Sequence, residues 1–420
     1  MTDPIRNATL ALLCDVTDAR RMISEAAPER LASLRPEGRA AAQRLATGTL
    51  RWADRADRVL GPFLRRRPSE ATLNALRLGL FEIFVAGTAP HAAVDGAVDA
   101  ARTTGGQPSL VNAVLRNILR LDPEPWSAAP VPRLPKWLRK PLVAAWGKQA
   151  VAAMEDVFAA EPPLDLTVRA DAPGWAARLG GELLPTGSVR LRAVGQVSAL
   201  PGFAEGAWWV QDAAAAIPAR LVGAGPGMRV LDMCAAPGGK TLQLTAAGAD
   251  VTALDQSEAR TGRLRENLAR CGLEARVVVG DALTHEDAPF DAILLDAPCT
   301  ATGTIRRHPD LPHVKAGQDL DAPVALQARL IDRALGLLKP GGRLVYCVCS
   351  LLPAEGEEQI AAALARHPGL SAGLPETLPD GIEPDWRAET GLRLRPDHWA
   401  GRGGIDGFFI ATLTMRGDAG

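Results

Sequence analysis

From about residue 208 the chain repeats a pattern that few architectures can satisfy: five short apolar runs, separated by helix-length stretches, of which the first four stop on or beside an acid. Met228-Arg-Val-Leu-Asp232 is the first run, and Ala249-Asp-Val-Thr-Ala-Leu-Asp255 the second. Arg276-Val-Val-Val-Gly280 is the third, with Asp281 directly after it. Asp291-Ala-Ile-Leu-Leu-Asp296 and Arg343-Leu-Val-Tyr-Cys-Val348 complete the series. Strand–helix alternation predicts a mostly parallel sheet with helices on both faces, a Rossmann-like α/β fold over residues 208–420. Ligands of such sheets bind beyond the carboxyl ends of the strands, where these acids fall.

The amino-terminal part reads differently. Leu73, Leu76, Leu80, Ile83 and Phe84 share one face of an amphipathic helix, with Ser69 as its cap. A second helix runs through Val111, Val114, Leu115 and Ile118. We expect an all-α domain over 1–122 and a proline-rich linker over 123–135. Residues 136–207 are expected to form a small α+β subdomain, with a helix from Trp137 to Ala159 and a strand at Leu164–Arg169.

No apolar run approaches the roughly 20 residues that cross a bilayer, and the first residues lack a secretion signal, so a cytoplasmic location is expected. The six cysteines (14, 234, 271, 299, 347 and 349) form no C-x-x-C pair. They suit free thiols in a reducing compartment better than zinc or a disulfide scaffold, and no metal is expected. The net charge of −1 conceals an asymmetry: residues 1–150 hold 22 Lys and Arg against 14 Asp and Glu. A basic third suits a polyanion such as RNA, and Arg65-Arg66-Arg67 with Arg51, Arg55 and Arg58 are candidate phosphate contacts. A solvated helix face explains the same charges equally well. Nothing resembles a coiled coil, so a monomer is expected.

Three segments carry chemistry. Asp232-Met-Cys-Ala-Ala-Pro-Gly-Gly-Lys-Thr241 follows the first strand, and its glycines let the backbone approach a ligand. It is neither a phosphate-binding P-loop, because Cys234 stands where the first glycine belongs, nor a G-x-G-x-x-G dinucleotide loop. Asp255, Asp281 and Asp296, on successive strand ends, point to a nucleoside-containing cofactor: Asp255 for a ribose diol, Asp281 for an adenine amino group. Spacing alone leaves methyl donors and nicotinamides both open. Asp296-Ala-Pro-Cys-Thr-Ala-Thr-Gly-Thr304 and Val345-Tyr-Cys-Val-Cys-Ser350 then place Cys299 and Cys349 at active strand ends, where they converge if both strands are central. Buried cysteines are mostly inert, which is the reading for Cys14 and Cys271.

These segments, with Arg306-Arg-His-Pro-Asp310, closely resemble the NOL1/NOP2/Sun family of RNA cytosine-5 methyltransferases. Leu76-Arg-Leu-Gly-Leu80, Pro90-His91 and Asn112-Ala-Val-Leu-Arg116 resemble a NusB-type RNA-binding domain, and Trp209-Val-Gln-Asp212 and Asp406-Gly-Phe-Phe409 also fit. The resemblance implies S-adenosylmethionine as cofactor and RNA, ribosomal RNA above all, as partner. It implies a cofactor loop of Cys234, Ala235, Ala236, Pro237, Gly238, Gly239 and Lys240, with Asp255, Asp281 and Asp296 as further cofactor-side positions. Cys349 becomes the nucleophile and Cys299 the group that aids release, with Asp296 and Lys240 assisting. Arg306, Arg307 and His308 become RNA contacts. Cys347 is unusual for the family, and DNA cytosine-5 methyltransferases attack with a Pro-Cys cysteine, so Cys299 is the alternative nucleophile. A transfer-RNA substrate, a non-catalytic RNA-binding or antitermination factor and a nicotinamide oxidoreductase are the competing functions.

Overall fold

A computed structural model describes residues 3–121, 124–192, 194–316, 320–375 and 377–415. It forms two compact units, one of Met1–Glu161 with Ile305–Gln318, the other of Pro162–Thr304 with Asp319–Gly420.

The first unit is helical. Its central helix, Glu70–Phe84, starts on Ser69, whose hydroxyl accepts from the Thr72 N–H. Leu73, Leu76 and Leu80 are buried in one core with Leu10, Leu13, Ala97, Leu115 and Ile118. Gly79 is a glycine for a packing reason: a Cβ there would lie 2.6 Å from the Leu115 side chain of helix Pro108–Ile118. The expected boundaries shift. Trp126, inside the segment read as a linker, is buried in the helical core, stacked on Phe84 at 5.4 Å. Residues 122 and 123, where that linker was placed to begin, lie outside the described residues. Helix Lys136–Ala159 also belongs to this unit rather than to the α+β part, and is interrupted at Gly147, where φ is +81°. Its Glu155 is buried, accepting from the Leu134 N–H (2.9 Å) and from Arg139 (2.8 Å). A segment that follows a sheet strand in sequence completes the unit. The Ile23 N–H donates to Asp310 (2.8 Å), Trp137 to the Pro312 carbonyl (3.3 Å), and Arg51 to the carbonyls of Phe158 (2.8 Å) and Arg306 (2.9 Å).

The second unit contains two sheets. The smaller comprises β1 (Leu164–Val168), β2 (Glu182–Leu183), β3 (Val189–Leu191) and β4 (Trp208–Val210), antiparallel in the order β2-β3-β1-β4. The expected α+β element is therefore present, but it closes on Trp208–Val210. Buried Arg190 pairs with buried Asp165 through both carboxylate oxygens, each at 2.7 Å.

The larger sheet contains the five strands read from the sequence: β5 (Arg229–Met233), β6 (Asp250–Asp255), β7 (Arg276–Val279), β8 (Phe290–Asp296) and β9 (Leu338–Val348). β10 (Leu370–Gly373), β11 (Arg387–Ala388), β12 (Gly391–Leu394) and β13 (Phe408–Met415) extend it. The order is β11-β12-β13-β9-β8-β5-β6-β7, with β10 also paired to β13. β9 through β7 run parallel, while β13 is antiparallel to β9. Val230, Leu231, Ile293, Leu294, Leu344 and Val345 are buried, as strands covered on both faces require. The chain winds outward from β5 to β6 on one side and to β8 on the other, so a crevice opens at the carboxyl ends of β5 and β8.

Candidate active site

The loop after β5 begins with Cys234 in the left-handed region (φ +62°), and Gly238 has φ +107°. These conformations turn the chain into helix Gly239–Ala246. Asp232 is fully buried: one oxygen accepts from the Thr241 hydroxyl at 2.6 Å, while Oδ1 has no hydrogen-bond partner among the described residues. Burial pushes its carboxyl up to about 7, against the opposing effects of Thr241 and Lys240. Burial likewise pushes the Cys234 thiol up to about 12, which makes it a packing thiol rather than a nucleophile.

Asp255, at the end of β6, accepts from the Ala236 N–H (3.1 Å) and the Ser257 N–H (3.0 Å), which fixes the carboxylate's orientation. Arg260, overlooked in the sequence, lies 3.5 Å from it. Asp281 accepts from the Leu283 N–H at 2.9 Å. Asp255, Asp281, Cys234 and Arg260 line one cleft with Leu254, Ala282, Pro298, Leu326 and Leu330. The walls of this cleft are largely apolar, and Asp255 and Asp281 contribute two carboxylates to it. Leu326 and Leu330 could have been found as an i, i+4 apolar pair on helix Asp321–Gly336.

On the other side of β5, Lys240 reaches Asp296 at the end of β8, Nζ to Oδ2 2.7 Å. Burial opposes the ammonium, but Asp296, with Cys347 and Asp232, outweighs it and raises Lys240 above its ordinary value. The Cys347 thiol donates to the other oxygen of Asp296 (3.4 Å) and is fully buried, which holds it well above the ordinary range. Cys347 is thereby committed to orienting Asp296.

β8 and β9 are neighbours, so the condition for convergence is met: Cys299 Sγ lies 3.6 Å from Cys349 Sγ. The adjacent thiol and burial together push Cys299 well above the ordinary thiol range, which keeps it protonated. The two loops meet the amino end of β13 at Gly303. Its N–H donates to the Cys349 carbonyl and its carbonyl accepts from the Gly407 N–H, both at 2.9 Å. A Cβ on Gly303 would lie 2.0 Å from the Gly407 carbonyl oxygen, so this contact excludes any side chain.

The geometry thus gathers Lys240, Asp296, Cys299 and Cys349 at one end of the sheet. The basic triplet belongs to the helical unit. Arg306 is fully buried in the helical unit, so its side chain is not offered to RNA, contrary to expectation. Arg307 is exposed and His308 half-buried. Pro309, Leu311, Pro312 and Val314 around the triplet are the apolar signal that this segment docks. Among the described residues no cluster of His, Cys, Asp and Glu could hold a metal, and no helix is long and apolar enough to cross a membrane.

Comparison with known proteins matches two families to successive stretches of the chain. The family described as 16S rRNA methyltransferase RsmB/F matches residues 222–414, and the NusB family matches 3–120. A ribosomal RNA small subunit methyltransferase B from Pseudomonas putida is 36% identical over 440 residues, covering 97% of this chain and 98% of that protein. The chain belongs to this methyltransferase B family. Among solved structures, PH0851 has a TM-score of 0.73 at 21% identity, covering 98% of this chain and 99% of its own, and so shares the fold. A methyltransferase homolog protein from Pyrococcus horikoshii has a TM-score of 0.55 at 29% identity, with 67% of this chain and 95% of that one aligned.

Proposed function

We propose that the protein methylates carbon 5 of a cytosine in small-subunit ribosomal RNA, with S-adenosylmethionine as donor and Cys349 as covalent nucleophile. The observation that carries this reading is the 3.6 Å approach of Cys349 and Cys299 beside the Lys240–Asp296 pair. The names of the family's members support the RNA substrate.

Carbon 5 of cytosine is a weak nucleophile because the ring is aromatic. Cys349, as thiolate, adds to carbon 6 and turns one difficult step into two easier ones. Electron density then gathers at carbon 5. Bound S-adenosylmethionine supplies the electrophilic methyl group. Asp296, held from both sides by Lys240 and Cys347, has lone pairs left to accept from the ring's amino edge. Release requires the carbon 5 proton to pass to water or to a base acting with Cys299, while the carbon 6–sulfur bond breaks. The protonated Cys299 thiol can hydrogen-bond the departing Cys349 sulfur. The base must be unstacked to enter the cleft.

The experiment is bisulfite sequencing of ribosomal and transfer RNA from cells with and without the protein, complemented with wild type or Cys349→Ala. One cytosine in small-subunit RNA should lose its methyl without the protein and regain it only with wild type. The Cys349→Ala protein should still bind S-adenosylmethionine in calorimetry. Restoration by Cys349→Ala would reassign the nucleophile, and a change confined to transfer RNA would reassign the substrate.

A further inference from the structure

Both cysteine loops are tied to one buried carboxylate, Glu355, which is 1% exposed. Its Oε1 accepts from the Thr300 backbone N–H (2.9 Å) and from the Gln327 amide (3.1 Å). Its Oε2 accepts from the hydroxyls of Thr300 and Ser350, each at 2.5 Å. Thr300 and Ser350 are the residues directly after Cys299 and Cys349. A carboxylate offers about four lone-pair sites, and these four donors fill them, so the side chain has one orientation. All four donors are neutral. Sequestering a carboxylate among neutral groups is costly unless every site is satisfied, and a partly satisfied one is worse than none.

The network reaches further on both sides. The Gln327 amide also donates to the carbonyl of Pro298, the residue before Cys299, at 2.9 Å. The Tyr346 hydroxyl donates to the Glu355 main-chain carbonyl at 2.7 Å, anchoring it to β9. The Thr300 and Ser350 hydroxyls are themselves 3.2 Å apart. The need for such a tie follows from the register. Ladder pairing of β8 with β9 ends at Asp296 and Cys347, so both reacting thiols lie past the last paired residues. Beyond that point the Thr302 hydroxyl also reaches those of Thr300 (3.4 Å) and Ser350 (3.3 Å), but Glu355 is the carboxylate that accepts from the residue next to each thiol.

We propose that Glu355 is a positioning residue that sets the distance between Cys349 and Cys299, and so holds the attacking and releasing groups in step. The part that concerns catalysis rests on the proposed roles of the two cysteines. The spacing itself does not, and can be read without RNA. Diamide takes one hydrogen from each of two nearby thiols, joining them as a disulfide while its N=N bond is reduced to a hydrazine. In the wild type the Cys299–Cys349 disulfide should form fast, as mapped by peptide mass spectrometry.

Glu355→Leu keeps the approximate volume and removes every acceptor. Its crosslinking should slow about tenfold and its kcat on RNA fall about 100-fold, the scale of a misplacement near 1 Å, with unchanged affinity for S-adenosylmethionine. Glu355→Gln should recover most of both, because its NH2 can donate to the two hydroxyls. Wild-type crosslinking in folded Glu355→Leu would overturn the proposal, as would slowed crosslinking with undiminished kcat. Should Glu355→Leu fail to fold, Thr300→Val removes one hydroxyl donor and keeps the backbone N–H. Its crosslinking should slow severalfold, and an unchanged rate would be equally fatal. Wild-type protein assayed in parallel separates the two readings, because its failure to methylate RNA would reject the cytosine-5 chemistry and leave the spacing result standing.

Discussion

Charge is used differently in the two units. In the sheet unit, Asp255 and Asp281 line a cleft beyond their strands, and Asp296, at the end of β8, pairs with Lys240 of the helix after β5. In the helical unit most of the arginines that suggested RNA are committed to the unit's own structure. Arg51 donates to two backbone carbonyls. Arg55 bonds the Trp126 carbonyl and lies over the rings of Trp52 and Trp126. Arg58 pairs with Asp54 and Arg67 with Glu70. Arg65 and Arg66 are exposed. A residue's place in a strand register restricts what it can do, whereas a count of charges does not say whether they face outward or are satisfied within the fold.

The largest test of that contrast lies in the cleft. Cys299→Ala should let Cys349 attack but slow its release, so a protein–RNA adduct should persist on a denaturing gel. Multiple-turnover rate should fall on the order of 100-fold or more, the usual scale for losing an assisting proton or hydrogen-bond donor. Adding Cys349→Ala should abolish the adduct. Free turnover without a shifted band in Cys299→Ala would remove the release role and leave the two thiols as mere neighbours.

The same contrast explains what the sequence disclosed. The five parallel strands, the tight loop after β5 and the convergence of Cys299 on Cys349 were legible because period, strand-end acids and short motifs are local signals. Glu355 was not, because nothing local distinguishes a buried glutamate in Pro-Ala-Glu-Gly-Glu-Glu from its exposed neighbour Glu358. Its role is visible only when two loops 50 residues apart are brought together. Arg306 misled for the related reason that three basic residues read as surface. Their apolar flanks, and the return of the chain to the helical unit, placed that side chain inside. The proline-rich run misled because proline excludes regular structure, not burial: Trp126 is anchored by ring packing and by Arg55.

Arginines of the two kinds should respond oppositely to substitution. Arg51→Met leaves the carbonyls of Phe158 and Arg306 without their donor. Losing two bonds from a charged group should cost about 2–4 kcal/mol, read as a lower midpoint in urea. Arg65→Ala with Arg66→Ala should stay within about 0.5 kcal/mol of wild type. It should instead weaken RNA binding and flatten the dependence of log K on log salt by about 1–2. A stability loss there, or an RNA defect without one in Arg51→Met, would erase the distinction.

The smallest effect is one of sign. Burial pushes Asp232 up to about 7, so the folded sheet unit binds a proton that the unfolded chain has released above its ordinary value near 4. That contribution is present at low pH and is lost as pH rises from about 4 to 7. In the helical unit, burial and Arg77 push His313 down to about 4, with Asp57 and Arg20 also acting on it, and burial and Arg307 do the same to His308. There the unfolded chain binds more protons, so stability is lost as pH falls from about 6.5 to 4. Each effect should be on the order of 1–2 kcal/mol once partial exposure and relaxation are allowed for. Melting curves of Asp232→Asn and His313→Gln against wild type isolate them. The Asp232→Asn difference should shift in the variant's favour as pH rises through its window, and the His313→Gln difference as pH falls through its own. Two differences with the same slope would mean that burial does not set these protonation states, and the opposition between the units would fail at its most quantitative point.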